Sequence, residues 1–245
     1  MVDLFPDADY RFQMNLERGS IDEFFRATAS HEQILSERRH WLETDPGRHM
    51  AMLKEGEPLL EESIEVLRQP DVWNIEPDLL MLDTQLRLVG ASVCFPSSWS
   101  LSEKIGKPLD FIHHVVPGLN AQIGTQISRF LSNLKPGFAW LRANWGLSRS
   151  GEWNQHPDRK LPRLDASTAF GEIWLRIERQ ALVLLPRTNG VLFGIRIETY
   201  RLEEMQKGSA EVRGLARALR TMPEDMAVYK GIAAVRETVA RDLMM

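Results

Sequence analysis

A single cysteine, Cys94, is the first constraint on this chain of 245 residues. One thiol excludes an internal disulfide, a structural zinc site made of thiolates and a cysteine-ligated iron–sulfur cluster. Long apolar runs are missing too, so no segment reads as a membrane span. The first residues, MVDLFPDADYRF, contain neither a basic stretch nor an apolar one and do not read as a secretory signal, which points to the cytoplasm. Positive charge is not in excess: the formal net charge is −4 and the pI about 5.9. That balance argues against nucleic acid or an anionic membrane as the main partner.

Standard catalytic signatures are also absent. There is no G-x-G-x-x-G, no P-loop and no G-x-S-x-G elbow. His31-Glu32 lacks the second histidine of H-E-x-x-H. These absences weigh against a dehydrogenase, a kinase, an α/β-hydrolase and a zinc protease.

What is present fits a soluble globular protein, with 43% hydrophobic and 26% charged residues. The length suits one large domain over 1–245, with an N-terminal helical part (1–78), a sheet core with inserted helices (79–200) and C-terminal helices (201–245). Seven tryptophans supply large apolar faces for a core, a pocket or an interface.

Apolar spacing predicts helices over 21–43 and 48–68, separated by Asp45-Pro46-Gly47. Leu79–Leu82 and Leu86–Phe95 read as a hairpin across Asp83-Thr84-Gln85. Ser100-Leu101-Ser102-Glu103 matches a capping box, Gly106 suits a left-handed helix end, and Asn120 suits the cap of a helix over 121–134. Strands are predicted over Phe138–Leu147, Gly171–Leu185 and Val191–Tyr200. The last two should pair antiparallel across the Asn189-Gly190 turn. Helices return over 209–221 and 224–243. The expected class is α+β, an antiparallel sheet of about five strands with helices before, within and after it. The polar connection 148–169 has no periodicity, and Trp153 and His156 favour its being an ordered cover over the sheet.

Two features carry chemistry. His113 and His114 stand together in the apolar segment Phe111–Val116, bracketed by Pro108 and Pro117. Either one is packed while the other meets water, or the pair offers a metal ligand or proton shuttle. Polar residues also mark strand faces: Arg142 and Asn144 beside Trp145, and Arg176, Glu178 and Gln180 together with Arg179 opposite. Such faces are either solvated or line a pocket in which arginines meet carboxylates, such as haem propionates. His31, His40, His49 and His156 lie among charged residues and read as surface histidines.

An ordered set of segments resembles the haem-binding α-subunit family of the haem-dependent oxidative N-demethylases. The segments are Gly90–Trp99, Glu103–Leu109, Ile112-His113 with Val116-Pro117-Gly118, Asn144-Trp145, Arg176–Gln180 with Leu182, and Leu185–Thr188 running to Phe193-Gly194-Ile195. The resemblance implies a PAS-like five-stranded antiparallel sheet gripping a b-type haem, and oxidation of a secondary amine such as dimethylamine by O2. NADPH, FMN and a [2Fe–2S] cluster would belong to a reductase subunit, and tetrahydrofolate to a folate-binding subunit. The family's I-H-x-x-V-P pattern places the iron ligand on His113, with His114 as fallback or haem neighbour. By the same resemblance, Arg142 and Arg176 are cofactor-binding candidates, and Glu178 and Arg179 catalytic ones. Val115 stands where the pattern has proline, and Arg196-Ile197-Glu198 precede Thr199-Tyr200 where the pattern is shorter. Two other readings remain, a haem-binding sensor or carrier without chemistry and an assembly subunit that has lost its cofactor.

Overall fold

The computed structural model describes residues 4–12 and 14–245. Their centre is a seven-stranded, wholly antiparallel sheet. In chain order the elements are β1 (Glu17–Gly19), α1 (Ile21–Phe25), α2 (His31–Thr44), α3 (Pro46–His49), β2 (Met50–Met52), α4 (Glu57–Leu67), β3 (Asp78–Leu82) and β4 (Leu88–Ser92). Then follow α5 (Leu109–His113), α6 (Leu119–Ser132), β5 (Ala139–Ser148), β6 (Trp174–Leu184), β7 (Val191–Arg201), α7 (Ala210–Thr221), α8 (Glu224–Tyr229) and α9 (Arg236–Asp242). The strand order is β1-β5-β6-β7-β3-β4-β2. The mixed α and β class is as expected, but the sheet has seven strands rather than about five. The two additions, β1 and β2, are three-residue edge strands, too short for alternation to reveal them.

The helical pattern over 21–43 breaks after Phe25, where Arg26 is extended. Arg196 of β7 holds the break, donating to the carbonyls of Phe24 and Arg26, while Glu76 accepts from the Thr28 amide. The expected helix over 48–68 is interrupted by β2, which pairs with β4 from Met50↔Ser92 to Met52↔Gly90. A bare α-carbon lets Gly56 follow β2 closely, since a Cβ there would lie 2.6 Å from the Val89 carbonyl oxygen. Tertiary pairing overrides local helical periodicity in both places.

Two cap expectations are corrected. Ser100 makes no capping bond; its hydroxyl meets that of Ser102 at 2.8 Å, and Leu101–Glu103 is one 3-10 turn. Gly118, at φ +71°, caps α6, whereas the Asn120 amide donates to the Asp110 carbonyl at 2.8 Å and ties α6 to α5. Gly106 does adopt the left-handed conformation, at φ +76°. The C-terminal helical stretch is broken between α8 and α9, with Gly231 at φ +68°.

Cross-strand register assigns each sheet residue to a face, because directly paired residues point the same way. Trp140, Arg142 and Asn144 share one face with Leu182, Gln180 and Glu178, and next to them stand Phe193, Ile195 and Ile197. Leu109 and Ile112 of α5, and Ile127 and Leu131 of α6, pack over the apolar end of this face. The opposite face is covered by α1 and α4 at one end and by the C-terminal helices at the other. The long polar connection is an ordered cover, since Gly151 accepts from the Thr199 hydroxyl and Asn154 and His156 are buried. Among the described residues, no helix is long and apolar enough to cross a membrane.

Candidate functional site

α5 is short and two-sided. Leu109 and Ile112 turn toward the core, whereas Phe111 and His114 face outward. His113 closes the helix and is half-buried. Among the described residues its ring makes no hydrogen bond. Burial, then the nearby charges of Arg142 and Lys104, push its pKa down to about 4 against the pull of Asp110. Near neutral pH the imidazole is therefore uncharged and keeps one nitrogen lone pair free for a metal.

Arg142 projects from β5 on the same sheet face. It makes no hydrogen bond or ion pair among the described residues, and its Nε is buried without a partner. Desolvation lowers its pKa, while Glu178 opposes the shift. Lys104 lies 4.3 Å from the centre of the Trp99 ring; burial lowers its pKa against Glu178 and Glu103. Glu178 is thus the carboxylate on which these cations converge. It accepts from the Ser97 hydroxyl at 2.6 Å and from the Gln180 amide at 2.8 Å. Arg176 completes the network, donating through Nε to Ser97 at 2.7 Å and through Nη2 to the Phe95 carbonyl at 2.7 Å. Burial lowers its pKa to about 10.

The residues singled out in the sequence therefore separate. His113, Arg142 and Glu178 come together, with Asn144 directly across the strands from Glu178. Arg176 joins them as a brace whose donors are already committed. Arg179 points to the other face, as strand parity requires, and pairs with Glu198 at 3.3 Å. His114 stays exposed outside the group. Ser97 and Lys104 belong to the resembling segments but were not assigned a role.

Two of the supposed surface histidines are buried: His49 is 1% and His156 5% exposed. The connection after β5 folds over α3, placing the two rings 6.2 Å apart beside Trp41. His31 pairs with the Glu76 carboxylate at 2.8 Å, and His40 is exposed. A cavity of about 310 Å³ lies along the free part of β7, lined by Phe95, Trp153, Ile197 and Tyr200 among others. His113 does not line it.

The depressed basicity of His113 has a measurable sign. The unfolded chain takes up a proton as pH falls through about 6.5, whereas native His113 resists until about 4. Native stability should therefore fall across that window, by roughly 2 kcal/mol from this residue after a discount for partial exposure. His49 and His156, also lowered first by burial, act in the same direction. Urea midpoints followed from pH 7 to 4.5 should drop in the wild type and drop less in His113→Ala. Parallel profiles would contradict the assignment.

With the fold and this cluster established, comparison with known families places the chain. The family model described as haem-dependent oxidative N-demethylase, alpha subunit-like, matches residues 71–240, from just before β3 into α9 and well over half of the sequence. The match spans every residue of the His113 group. The chain belongs to the haem-dependent oxidative N-demethylase, alpha subunit-like family.

Proposed function

We propose that this protein is a single domain that holds a b-type haem against the polar sheet face, with His113 as iron ligand, and carries out oxidative N-demethylation of a small secondary amine such as dimethylamine. One observation carries the reading: an uncharged, unpartnered histidine stands beside a cationic arginine with a buried, orphaned Nε. Such a pair is costly in isolation and suits a group that brings both a metal and carboxylates. The donor set fits haem on these grounds. The five longer strands, ordered β4-β3-β7-β6-β5, agree in number and antiparallel pairing with the sheet that the resemblance implies.

Each residue has a distinct task in this account. His113 offers a neutral imidazole nitrogen to iron. Arg142 and Lys104 meet the propionates. Glu178, held by Ser97 and Gln180, accepts hydrogen bonds from a substrate ammonium and orients it. Arg176 fixes Ser97 and so the carboxylate. Arg179, spent on Glu198 across the sheet, is left outside the site. When bound, the haem supplies the oxygen chemistry. Electrons would come from NADPH through a flavin and [2Fe–2S] reductase subunit, and a folate-binding subunit would take the one-carbon product. A cytoplasmic setting suits these partners.

Arg142→Met separates function from stability. Removing an unpaired buried cation should stabilise the haem-free protein by roughly 1–2 kcal/mol. Losing a charge-assisted hydrogen bond to a carboxylate should weaken haem binding about 10- to 100-fold. Urea unfolding and haemin titration measure the two effects, and a destabilised variant that binds haemin normally would contradict the role.

The proposal as a whole is tested on protein produced with haem supplied. A Soret band, together with dimethylamine-dependent O2 consumption and formaldehyde release in the presence of a reductase, is the expected result. A Soret band without turnover would leave a haem-binding sensor or carrier. Absence of any Soret band would overturn both readings.

A further inference from the structure

Consecutive residues of β7, from Arg196 to Tyr200, line the cavity of about 310 Å³ that Phe95 and Trp153 also border. A hollow over one face of a sheet meets alternate residues of a strand, because neighbouring side chains point to opposite faces. An unbroken run places this hollow along the strand's edge. β6 accompanies β7 along its whole length, but β3 pairs with it only from Val191 to Ile195. Pro77, just before β3, has no N–H with which to extend that ladder. Glu76, one residue earlier, instead gives its carboxylate to Arg196 and to the Thr28 amide. From Ile197 to Tyr200, every second residue therefore turns its N–H and C=O to an open edge. Among the described residues, no group bonds these edge atoms.

Nothing in the stretch Arg196-Ile197-Glu198-Thr199-Tyr200 blocks that edge, since it holds neither proline nor lysine. Its two sides differ in chemistry. Toward the face that carries Glu178 lie Ile197, Trp153 and Phe95, with the two rings 5.7 Å apart. On the other side Glu198 accepts through Oε2 from Arg179 at 3.3 Å and from the Tyr200 hydroxyl at 3.2 Å. Its Oε1 has no partner among the described residues. The cavity lining also carries the carboxylates of Glu76 and Glu198 against a single guanidinium, that of Arg196.

We propose that the free edge of β7 docks an extended segment of a partner protein, which adds as a strand and alternates apolar with basic side chains. Along such an edge the pairing groups recur about every 7 Å, the interval at which another extended backbone presents its own. The apolar side chains meet Ile197, Phe95 and Trp153, and a basic one meets Oε1 of Glu198. No residue of the His113 group takes part, so docking does not depend on haem.

The probe is the acetylated, amidated peptide Lys-Val-Lys-Val-Lys, titrated into the full chain and followed by tryptophan fluorescence and amide hydrogen exchange. Saturable binding is expected, with protection of alternate amides between Ile197 and Tyr200. In an added strand either the valine or the lysine N–H groups face β7, never both. Methylating the valine nitrogens in one peptide and the lysine nitrogens in another should therefore weaken one of them about 10-fold or more and spare the other. Glu-Val-Glu-Val-Glu should bind about 10-fold more weakly than the basic peptide, and Glu198→Gln should narrow that preference. No saturation by about 1 mM peptide, equal behaviour of the two methylated peptides, or unchanged exchange along β7 would overturn the proposal. Concentration-dependent protection of the same amides in the protein alone, together with a sedimenting dimer, would assign the edge to a second copy of this chain and overturn the partner.

Discussion

Asp78→Asn should lower native stability by about 3–5 kcal/mol, the usual cost of removing one partner from a buried ion pair. Asp78 opens β3 and is almost fully buried. Its Oδ1 accepts from Arg38 of α2 at 2.5 Å and from the Cys94 amide at 2.8 Å, and its Oδ2 accepts from the Phe95 amide at 3.0 Å. An asparagine side chain carries no charge for Arg38, and turns two N–H groups toward sites that already donate. Arg38, with no exposed surface, would keep only Ser92 and the Trp73 carbonyl as partners. For a domain of this size the loss corresponds to roughly 10 °C in Tm. The consequence reaches the site, because Cys94 and Phe95 lead into Ser97, which holds Glu178. Thermal unfolding of Asp78→Asn within 2 °C of the wild type would show that this pair does not anchor the segment.

The parts of this fold that were legible from sequence are those decided locally. Val191, Phe193, Ile195 and Ile197 alternate, Asn189-Gly190 supplies the turn, and β6 and β7 pair as that pattern requires. Parity along β6 likewise separates Arg176, Glu178 and Gln180 from Arg179 by sequence position alone. Features decided at a distance were not legible. The break after Phe25 depends on Arg196, about 170 residues later, and β2 exists because β4 offers it an edge. His49 and His156 misled for the same reason. Arg48 and Asp158 beside them suggest a surface, but the two are buried by each other's segments.

The site divides along similar lines. His113 was marked by its apolar neighbours and by resemblance, and the structure adds the burial and cations that keep it neutral. Arg142 was one polar strand residue among several until its lack of partners set it apart. Arg176 shows the converse, since three committed donors make it a brace rather than a free ligand contact.

His113→Ala should abolish tight haem binding. Loss of a partner that merely orients a metal ligand typically costs 10- to 100-fold in affinity, so loss of the ligand itself should cost more than about 100-fold. His113 makes no hydrogen bond among the described residues, and removing a group whose native charging is disfavoured leaves no buried polar partner behind. His113→Ala should therefore fold normally, and the effect should fall on the cofactor. His114, exposed on the outer side of the same helix, is the matched control. Titrating haemin into wild type, His113→Ala and His114→Ala while following the Soret band tests His113 as the iron ligand. Saturable binding is expected in wild type, affinity within about threefold of it in His114→Ala, and no saturation at the same concentrations in His113→Ala. Equal Soret bands and affinities in all three proteins, or selective loss in His114→Ala, would contradict it.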